Sequence, residues 1–238
     1  MEINAQFRDT TLSPTDFETV LTRLGRIIDA IGERRGELAR SEWRLKGETQ
    51  KEALLYRAFE GDVPSTAALA VLKEEFRKSQ DQTFVAIWAH PDGSEVGANM
   101  TCHVGPQGEL NSISVALTGE DDLIGFDAFT IYVSRVAEEF APLYAEVSPP
   151  DYFEKRVFDD KPGVGWMFYL PRIVTVQQVP EARALVPVPE AGKKQTGTII
   201  ASVTDAVFSA DNAEHVEVAN RIEIRLVDQD LLPRYADL

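Results

Sequence analysis

The stretch TFVAIWAHPDGSEVGANMTCHVGPQGELNSISVALTG, residues 83–119, decides the fold. Its apolar and β-branched residues fall into three runs, at 83–89, 95–104 and 109–119. The turn-forming segments PDGS and GPQG lie between the runs, and polar and apolar residues alternate along the third. This arrangement predicts a meander of three antiparallel strands.

Helical periodicity precedes the meander. Ser13-Pro14 fits a helix start with Ser13 as the N-cap, because proline is favoured at the first helical position. Apolar residues then recur at three- and four-residue steps into the mid-thirties, which predicts a helix with one buried stripe. A second helical region is expected at about 49–58, and Ser65 is expected to cap a third helix.

Helices are also expected after the meander, at 126–144 and at 211–232, the latter capped by Asp211. A Pro-rich passage from residue 180 is predicted to be an exposed loop. Further strands are expected near 2–8, 145–149, 153–158, 165–170, 173–179 and 196–204. With no repeat or long linker, the prediction is one α+β domain, 1–238, whose N-terminal and C-terminal helices pack on an antiparallel or mixed sheet.

The net charge of −15 is unevenly distributed. Residues 81–170 contain 4 Lys and Arg against 15 Asp and Glu, a local net charge of −11. Such a field opposes binding to nucleic acid and to anionic membranes, and it speeds encounter with a basic partner. Acidic surfaces also serve solubility, so the charge alone is compatible with either role.

The chain is predicted to be cytoplasmic. Its first residues, MEINAQFRDTTLS, lack the basic and apolar regions of a secretory signal. The single cysteine, Cys102, excludes an internal disulfide and fits a reducing compartment. No apolar run reaches the ~20 residues that a membrane-spanning helix needs.

Residues that could perform catalysis are few. His90 adjoins a turn, His215 lacks the spacing of a metal-binding helix, and Cys102 and His103 should point to opposite faces of a strand. The sequence contains no paired CxxC units, no phosphate-binding glycine loop and no nucleophile elbow. We therefore expect no metal and no cofactor.

The acidic stretch TGEDDLIGFD, residues 118–127, has three interpretations. It is a solvated loop at a helix entry, a surface that faces a partner, or a carboxylate cluster for metal binding or catalysis. The spacing does not match a calcium-binding loop. Acids just before a helix are favoured by its dipole, which supports the first interpretation.

The aromatic stretch KPGVGWMFYLPR, residues 161–172, follows the acids Asp159 and Asp160. In a strand, Trp166 and Phe168 share one face and Tyr169 lies on the other. The stretch is either a core strand or a strand with one buried face and one aromatic residue presented beside the acids. Aromatic residues are enriched at the centres of protein interfaces.

Three stretches resemble bacterial immunity proteins encoded beside polymorphic toxins, in the group called immunity protein family 52. They are SEWRLKG (41–47), GVGWMFYLP (163–171) and GTIIASVTDAVFSADNAEHVEVANRIEIRLVDQDLLP (197–233). The landmarks of the resemblance are Trp43, Trp166, Asp205 and Asp228. It implies a protein that binds and neutralises a toxin in the producing cell, usually a nuclease of the restriction-endonuclease fold, often delivered by type VI secretion. It carries over no catalytic residue.

The charge and the resemblance predict a non-enzymatic inhibitor whose acidic surface meets a basic nuclease toxin, with no nucleic-acid or membrane binding. One alternative is a metal-dependent hydrolase whose carboxylates are brought together by folding, and another is an adaptor protein of a secretion apparatus. The residues expected to contact the partner are Asp92, Glu95, Glu120, Asp121, Asp122, Asp159, Asp160, Trp166 and Tyr169.

Overall fold

The computed structural model describes residues 1–47, 49–91, 94–119, 121–189 and 194–238, and only the backbone at residues 50, 51, 121 and 122. The chain forms two compact units. Residues 6–124 make the first, here called the meander unit, and residues 1–5 with 125–238 make the second, the C-terminal unit. The expectation of one domain stays a prediction.

The elements up to residue 124 are β1 (Glu2–Phe7), α1 (Phe17–Arg34), β2 (Arg44–Leu45), α2 (Gln50–Ala53), β3 (Phe59–Glu60), β4 (Val63–Pro64), α3 (Thr66–Glu75), β5 (Thr83–Ala89), β6 (Gly97–Val104), β7 (Asn111–Thr118) and α4 (Asp121–Ile124). The division between the units falls within β1.

The predicted meander is confirmed. The strand order in the meander unit is β7-β6-β5-β2, and these neighbours are antiparallel. Alternate side chains of β5, β6 and β7 are buried, as a half-covered sheet requires. Helix α1 packs against β5 and α3, and its buried face contains Phe17, Val20, Leu21, Leu24, Ile27, Ile28 and Ile31.

Of the two serines predicted to cap helices, one does so and the other does not. The prediction of Ser13 as N-cap is wrong, because α1 begins at Phe17 and the Asp16 carboxylate accepts a hydrogen bond from the Thr19 N–H at 3.1 Å. Ser65 does cap α3, since its hydroxyl accepts from the Ala68 N–H at 3.0 Å. The helical region predicted at 49–58 contracts to the four residues of α2.

The elements of the C-terminal unit are α5 (Phe126–Phe140), β8 (Tyr144–Ser148), β9 (Met167–Leu170), β10 (Ala184–Val188), β11 (Gly197–Ala201) and α6 (Ala213–Asp228). Its strand order is β10-β11-β9-β8, beside residues 2–5 of β1. The pairs β10–β11, β11–β9 and β8–β9 are antiparallel. Helix α6 covers β9 and β11, with Ile222 and Leu226 in one core with Phe168 and Ile200.

Four predictions in the C-terminal unit are wrong. Residues 150–155 form a 3-10 helix and not a strand, and residues 173–179 are turns and irregular backbone. Strand β10 lies in the passage that was predicted to be a loop. The capping residue of α6 is Asn212, one position after the predicted Asp211.

The fold class is α+β, with helices packed on antiparallel strands, as predicted. Among the described residues, no helix combines the length and the apolar character that crossing a membrane requires.

Candidate functional site

Two connections meet at one end of the meander. The last residue of β5, Ala89, pairs with Ala98 of β6, while Gly97 pairs with the last residue of β7, Thr118. The chain therefore leaves β5, enters β6 and leaves β7 at the same end of these strands.

Side-chain packing fixes the two connections against each other. A Cβ atom placed on Gly119 would lie 3.0 Å from Cδ2 of Leu123 and 3.3 Å from Cγ2 of Val96. Both Leu123 and Val96 are buried. A larger residue at position 119 would therefore push the connections apart.

This end of the meander carries three of the acids predicted to contact a partner. Glu95 is exposed next to Val96, and Asp121 and Asp122 form the first half of α4. We call Glu95, Asp121 and Asp122 the acidic end. Two further predicted residues, Asp92 and Glu120, lie outside the described residues.

Asp159 and Asp160 belong to the C-terminal unit, and both are exposed. Their backbone is fixed, since the Asp159 carbonyl accepts from Arg156 Nη2 at 3.2 Å and the Asp160 carbonyl accepts from the Tyr235 N–H at 3.0 Å. The Asp160 carboxylate lies 3.8 Å from Nε of Arg234, and both side chains are more than half exposed. An ion pair this exposed contributes little to the stability of the protein. The carboxylates of Asp159 and Asp160 are therefore both accessible from solvent.

Trp166 and Tyr169 are not available as surface anchors, which corrects the prediction for both. Trp166 is fully buried, its indole N–H donates to the Val203 carbonyl at 2.9 Å, and its ring centroid lies 5.3 Å from that of Phe129. Tyr169 is 3% exposed and packs so closely on Gly197 that a Cβ there would meet its ring at 2.4 Å. Both residues therefore serve the core of the C-terminal unit.

The C-terminal unit also contains a cleft of about 260 Å³ that the sequence did not predict. We call it the Glu146 cleft, after the residue of β8 that lines it between two fully buried neighbours, Ala145 and Val147. Phe153, 65% exposed, forms part of its wall. The polar residues of its lining are Glu2, Asn4, Glu146, Ser148, Tyr152 and Arg156.

A fully buried carboxylate lies behind this cleft. Glu223 of α6 is 1% exposed and accepts hydrogen bonds from the Tyr152 hydroxyl at 2.6 Å and from the backbone N–H groups of Val157 and Val164 at 2.8 and 2.9 Å. Burial raises the pKa of Glu223, and the three donors partly offset that rise. The interaction ties the segment around residues 152–164 to α6.

The pKa of the Glu146 carboxyl differs from that of an exposed glutamate. Burial raises its pKa to about 7, with a contribution from the negative charge of Glu223, while Arg156 and the Gly163 N–H act in the opposite direction. Glu146 therefore changes charge near neutral pH. A carboxyl with a shifted pKa in a cleft marks a candidate functional site.

The sequence pattern indicates that Glu223 is buried, but nothing in it indicates that Glu146 is. Glu223 lies four residues after Ala219 and three before Leu226, so helical periodicity places it on the buried face of α6. An acid at such a position needs partners. Glu146 lies on a short strand, where exposure depends on packing that periodicity does not reveal.

The residues considered for catalysis have ordinary environments. Cys102 is buried, and Nε2 of His103 lies 2.6 Å from Nε2 of Gln82. His215 Nδ1 accepts a hydrogen bond from the Ser209 N–H at 3.1 Å. Within the described part of the chain, no group of three or more His, Cys, Asp or Glu residues could hold a metal ion.

The landmarks of the family resemblance occupy different environments. Trp43 is fully buried and donates to the Leu38 carbonyl at 2.9 Å, so it is a core residue like Trp166. Asp205 is exposed and lines a second cleft of the C-terminal unit, of about 400 Å³. Asp228 is exposed at the end of α6.

Comparison with known proteins shows similarity of fold. No protein-family model matches the sequence, and no curated protein matches it significantly. One similar solved structure is described as "Pseudomonas aeruginosa T6SS protein PA0821". The two chains align with a TM-score of 0.55 and 11% sequence identity over 95% of this chain and 75% of the other.

Proposed function

We propose that this protein is a non-enzymatic inhibitor that binds a basic nuclease toxin and so protects the cell that makes the toxin. The observation that carries the proposal is that the backbone positions of Glu95, Asp121 and Asp122 lie at one end of the meander. They lie in the part of the sequence, 81–170, with a net charge of −11. A nuclease groove is basic because it binds phosphates, so an acidic surface competes with DNA for it.

The structural similarity supports a link to type VI secretion. The fold of this chain is shared with a protein described as belonging to a type VI secretion system of Pseudomonas aeruginosa. Immunity proteins accompany the toxins that such systems deliver, and the resemblance in the sequence points to the same group. In this function the protein binds its toxin in the cytoplasm of the producing cell, without a cofactor.

The direct test is co-expression with the product of the neighbouring gene. We expect the two proteins to purify as a stable complex, and we expect the partner to degrade plasmid DNA only when this protein is absent. A partner without nuclease activity, or a nuclease that stays active in the complex, would contradict the proposal.

Charge reversal tests the role of the acidic end. In the triple variant Glu95→Lys, Asp121→Lys, Asp122→Lys, we expect association to slow by about tenfold or more at low salt and to lose most of its salt dependence. The matched control reverses three exposed acids elsewhere in the meander unit: Glu60→Lys, Asp81→Lys and Glu109→Lys. Both triples change the net charge equally, so equal effects would exclude a localised contact surface.

A second candidate function is an adaptor of the secretion apparatus, which the same structural similarity also supports. An adaptor would purify with components of the secretion machinery and would not alter the activity of a nuclease. Pull-down from cells that contain the whole secretion system separates the two candidates.

A further inference from the structure

The Glu146 cleft is small for a metabolite or cofactor site. Its volume of about 260 Å³ is below the roughly 300–1,000 Å³ typical of small-molecule pockets. It is open to solvent beside the exposed Phe153. A single long side chain from another protein suits these dimensions better than a free ligand.

The charges of the cleft favour a cation. Glu2 and Glu146 line it, and the buried Glu223 adds negative charge behind it. Among the residues that the structure describes in its lining, Arg156 is the cation. The lining therefore has an excess of carboxylates.

Arg156 does not neutralise Glu146 by direct contact. Its Nη1 donates to the Tyr235 hydroxyl at 3.1 Å, its Nη2 donates to the Asp159 carbonyl, and its guanidinium carbon lies 3.9 Å from the centroid of the Phe153 ring. These contacts direct its guanidinium to the segment that carries Asp159. In the described part of the chain, Glu146 has no ion-pair partner.

Phe153 supplies an apolar surface beside the carboxylate. An arginine side chain combines an aliphatic stem with a planar guanidinium, which stacks on aromatic rings and binds carboxylates through two parallel hydrogen bonds. The neighbouring contact of Arg156 with the same ring shows that the ring accepts such stacking. The exposed acids Asp159 and Asp160 on the adjoining segment extend the negative surface.

We propose that the Glu146 cleft receives the guanidinium of an arginine side chain from the protein partner. This inference rests on the proposed function, because it requires a basic protein partner. Glu146 binds the guanidinium, Phe153 packs against the stem, and Glu223 strengthens the negative potential from behind.

The affinity of the cleft for the arginine side chain depends on pH. Within the described residues, the groups whose charges act on Glu146 or Glu2 include Arg156, Glu223 and the α-amino group of Met1, whose pKa is lowered by burial. The hydroxyls of Tyr144, Tyr152 and Tyr235 also lie in this region, and they stay neutral because their pKa values are raised chiefly by burial. Binding a cation favours the ionised form of Glu146 and lowers its pKa from about 7. Binding at neutral pH therefore releases protons and strengthens as the pH rises from 6 to 8.

The test uses the full-length protein and a small probe, Nα-acetyl-L-arginine amide, titrated by NMR. We expect amide shifts at Gly163, Val164 and Gly165 with a Kd on the order of 1 mM. The uncharged citrulline analogue should bind about tenfold more weakly. Equal binding of the two probes, or of the lysine analogue and the arginine probe, would overturn the proposal.

Two variants and one matched control complete the test. Glu146→Gln and Phe153→Ala should each weaken binding of the arginine probe by about tenfold. Glu146→Gln should also abolish the pH dependence of that binding. Glu154→Gln removes an exposed acid from the same 3-10 helix and should leave probe binding unchanged. If Glu146→Gln binds the probe like the wild type, the cleft inference fails. Because no toxin is used, that failure would leave the inhibitor proposal standing.

Discussion

Cys102 and His103 are neighbours in the sequence with different environments. The alternation of β6 buries Cys102 and leaves His103 partly exposed beside Gln82. The sequence predicted this separation, because successive side chains of a strand point to opposite faces. The two residues therefore do not form a catalytic pair.

Burial makes the Cys102 thiol unreactive. It raises the pKa of the thiol to about 12, so almost no thiolate forms at pH 8. We expect a thiol reagent such as 5,5′-dithiobis(2-nitrobenzoate) to modify the native protein only on the timescale of unfolding. In denaturant, one thiol per chain should react at once. Rapid modification of the native protein would show that β6 opens locally.

Glu223 illustrates how one buried carboxylate organises a segment. Glu223→Gln keeps the size of the side chain but replaces one acceptor oxygen with an NH₂ group that faces a donor. We expect the free energy of unfolding to fall by about 1–3 kcal/mol. Urea denaturation measures the change, and Glu217→Gln, on the exposed face of the same helix, should change stability by less than about 0.5 kcal/mol.

At the scale of elements, turn residues and alternating polarity predicted the strands of the meander. They did not predict strands whose formation depends on tertiary contacts. Turn residues and alternation located β5, β6 and β7 within two residues of their ends. Strand β10 escaped prediction because it contains Pro187. Pro187 is tolerated since β10 is the outermost strand in its unit, where a missing N–H has no neighbouring strand to bond.

The start of α1 provides a sharp test of capping. Asp16→Ala removes the acceptor for the Thr19 N–H and should lower the free energy of unfolding by about 1 kcal/mol. Ser13→Ala changes the residue that the sequence favoured as cap, and we expect a loss of less than about 0.5 kcal/mol. Thermal unfolding of both variants compares the two. A larger loss for Ser13→Ala would place the helix start earlier.

At the scale of the whole molecule, the amount of negative charge can be read from the sequence, but its position in the fold cannot. The net charge of residues 81–170 can be counted, but the described acids Glu95, Asp121 and Asp122 and the pair at 159–160 fall in different units. The aromatic anchors failed because strand alternation cannot distinguish one buried face from two. Strand β9 begins at Met167, one residue after Trp166, and all four of its residues, Tyr169 included, are buried, so both of its faces are covered.

Glu146 makes the stability of the protein depend on pH. Its pKa is about 7 in the folded protein and near 4.5 when exposed, so the folded state binds its proton more tightly. The stabilisation is complete below pH 4.5 and is lost as the pH rises through 7. We expect the free energy of unfolding to fall by about 2 kcal/mol more in the wild type than in Glu146→Gln between pH 5 and 7.5.

Urea denaturation of both proteins at the two pH values measures this difference. Asp9 does not interfere, because hydrogen bonds from Thr11 and Arg23 outweigh the effect of burial and lower its pKa to about 2. Glu154→Gln is the control and should retain the wild-type dependence. Parallel curves for the wild type and Glu146→Gln would show that Glu146 titrates normally.

The division of the chain within β1 has a consequence for synthesis. The meander unit is one continuous stretch, residues 6–124, so all of its strands have left the ribosome before most of the second unit has been translated. The C-terminal unit, by contrast, combines the first five residues with the last half of the chain. Residues 2–5 of β1 therefore have no partner strand in their own unit until β8, more than 130 residues later, has been synthesised.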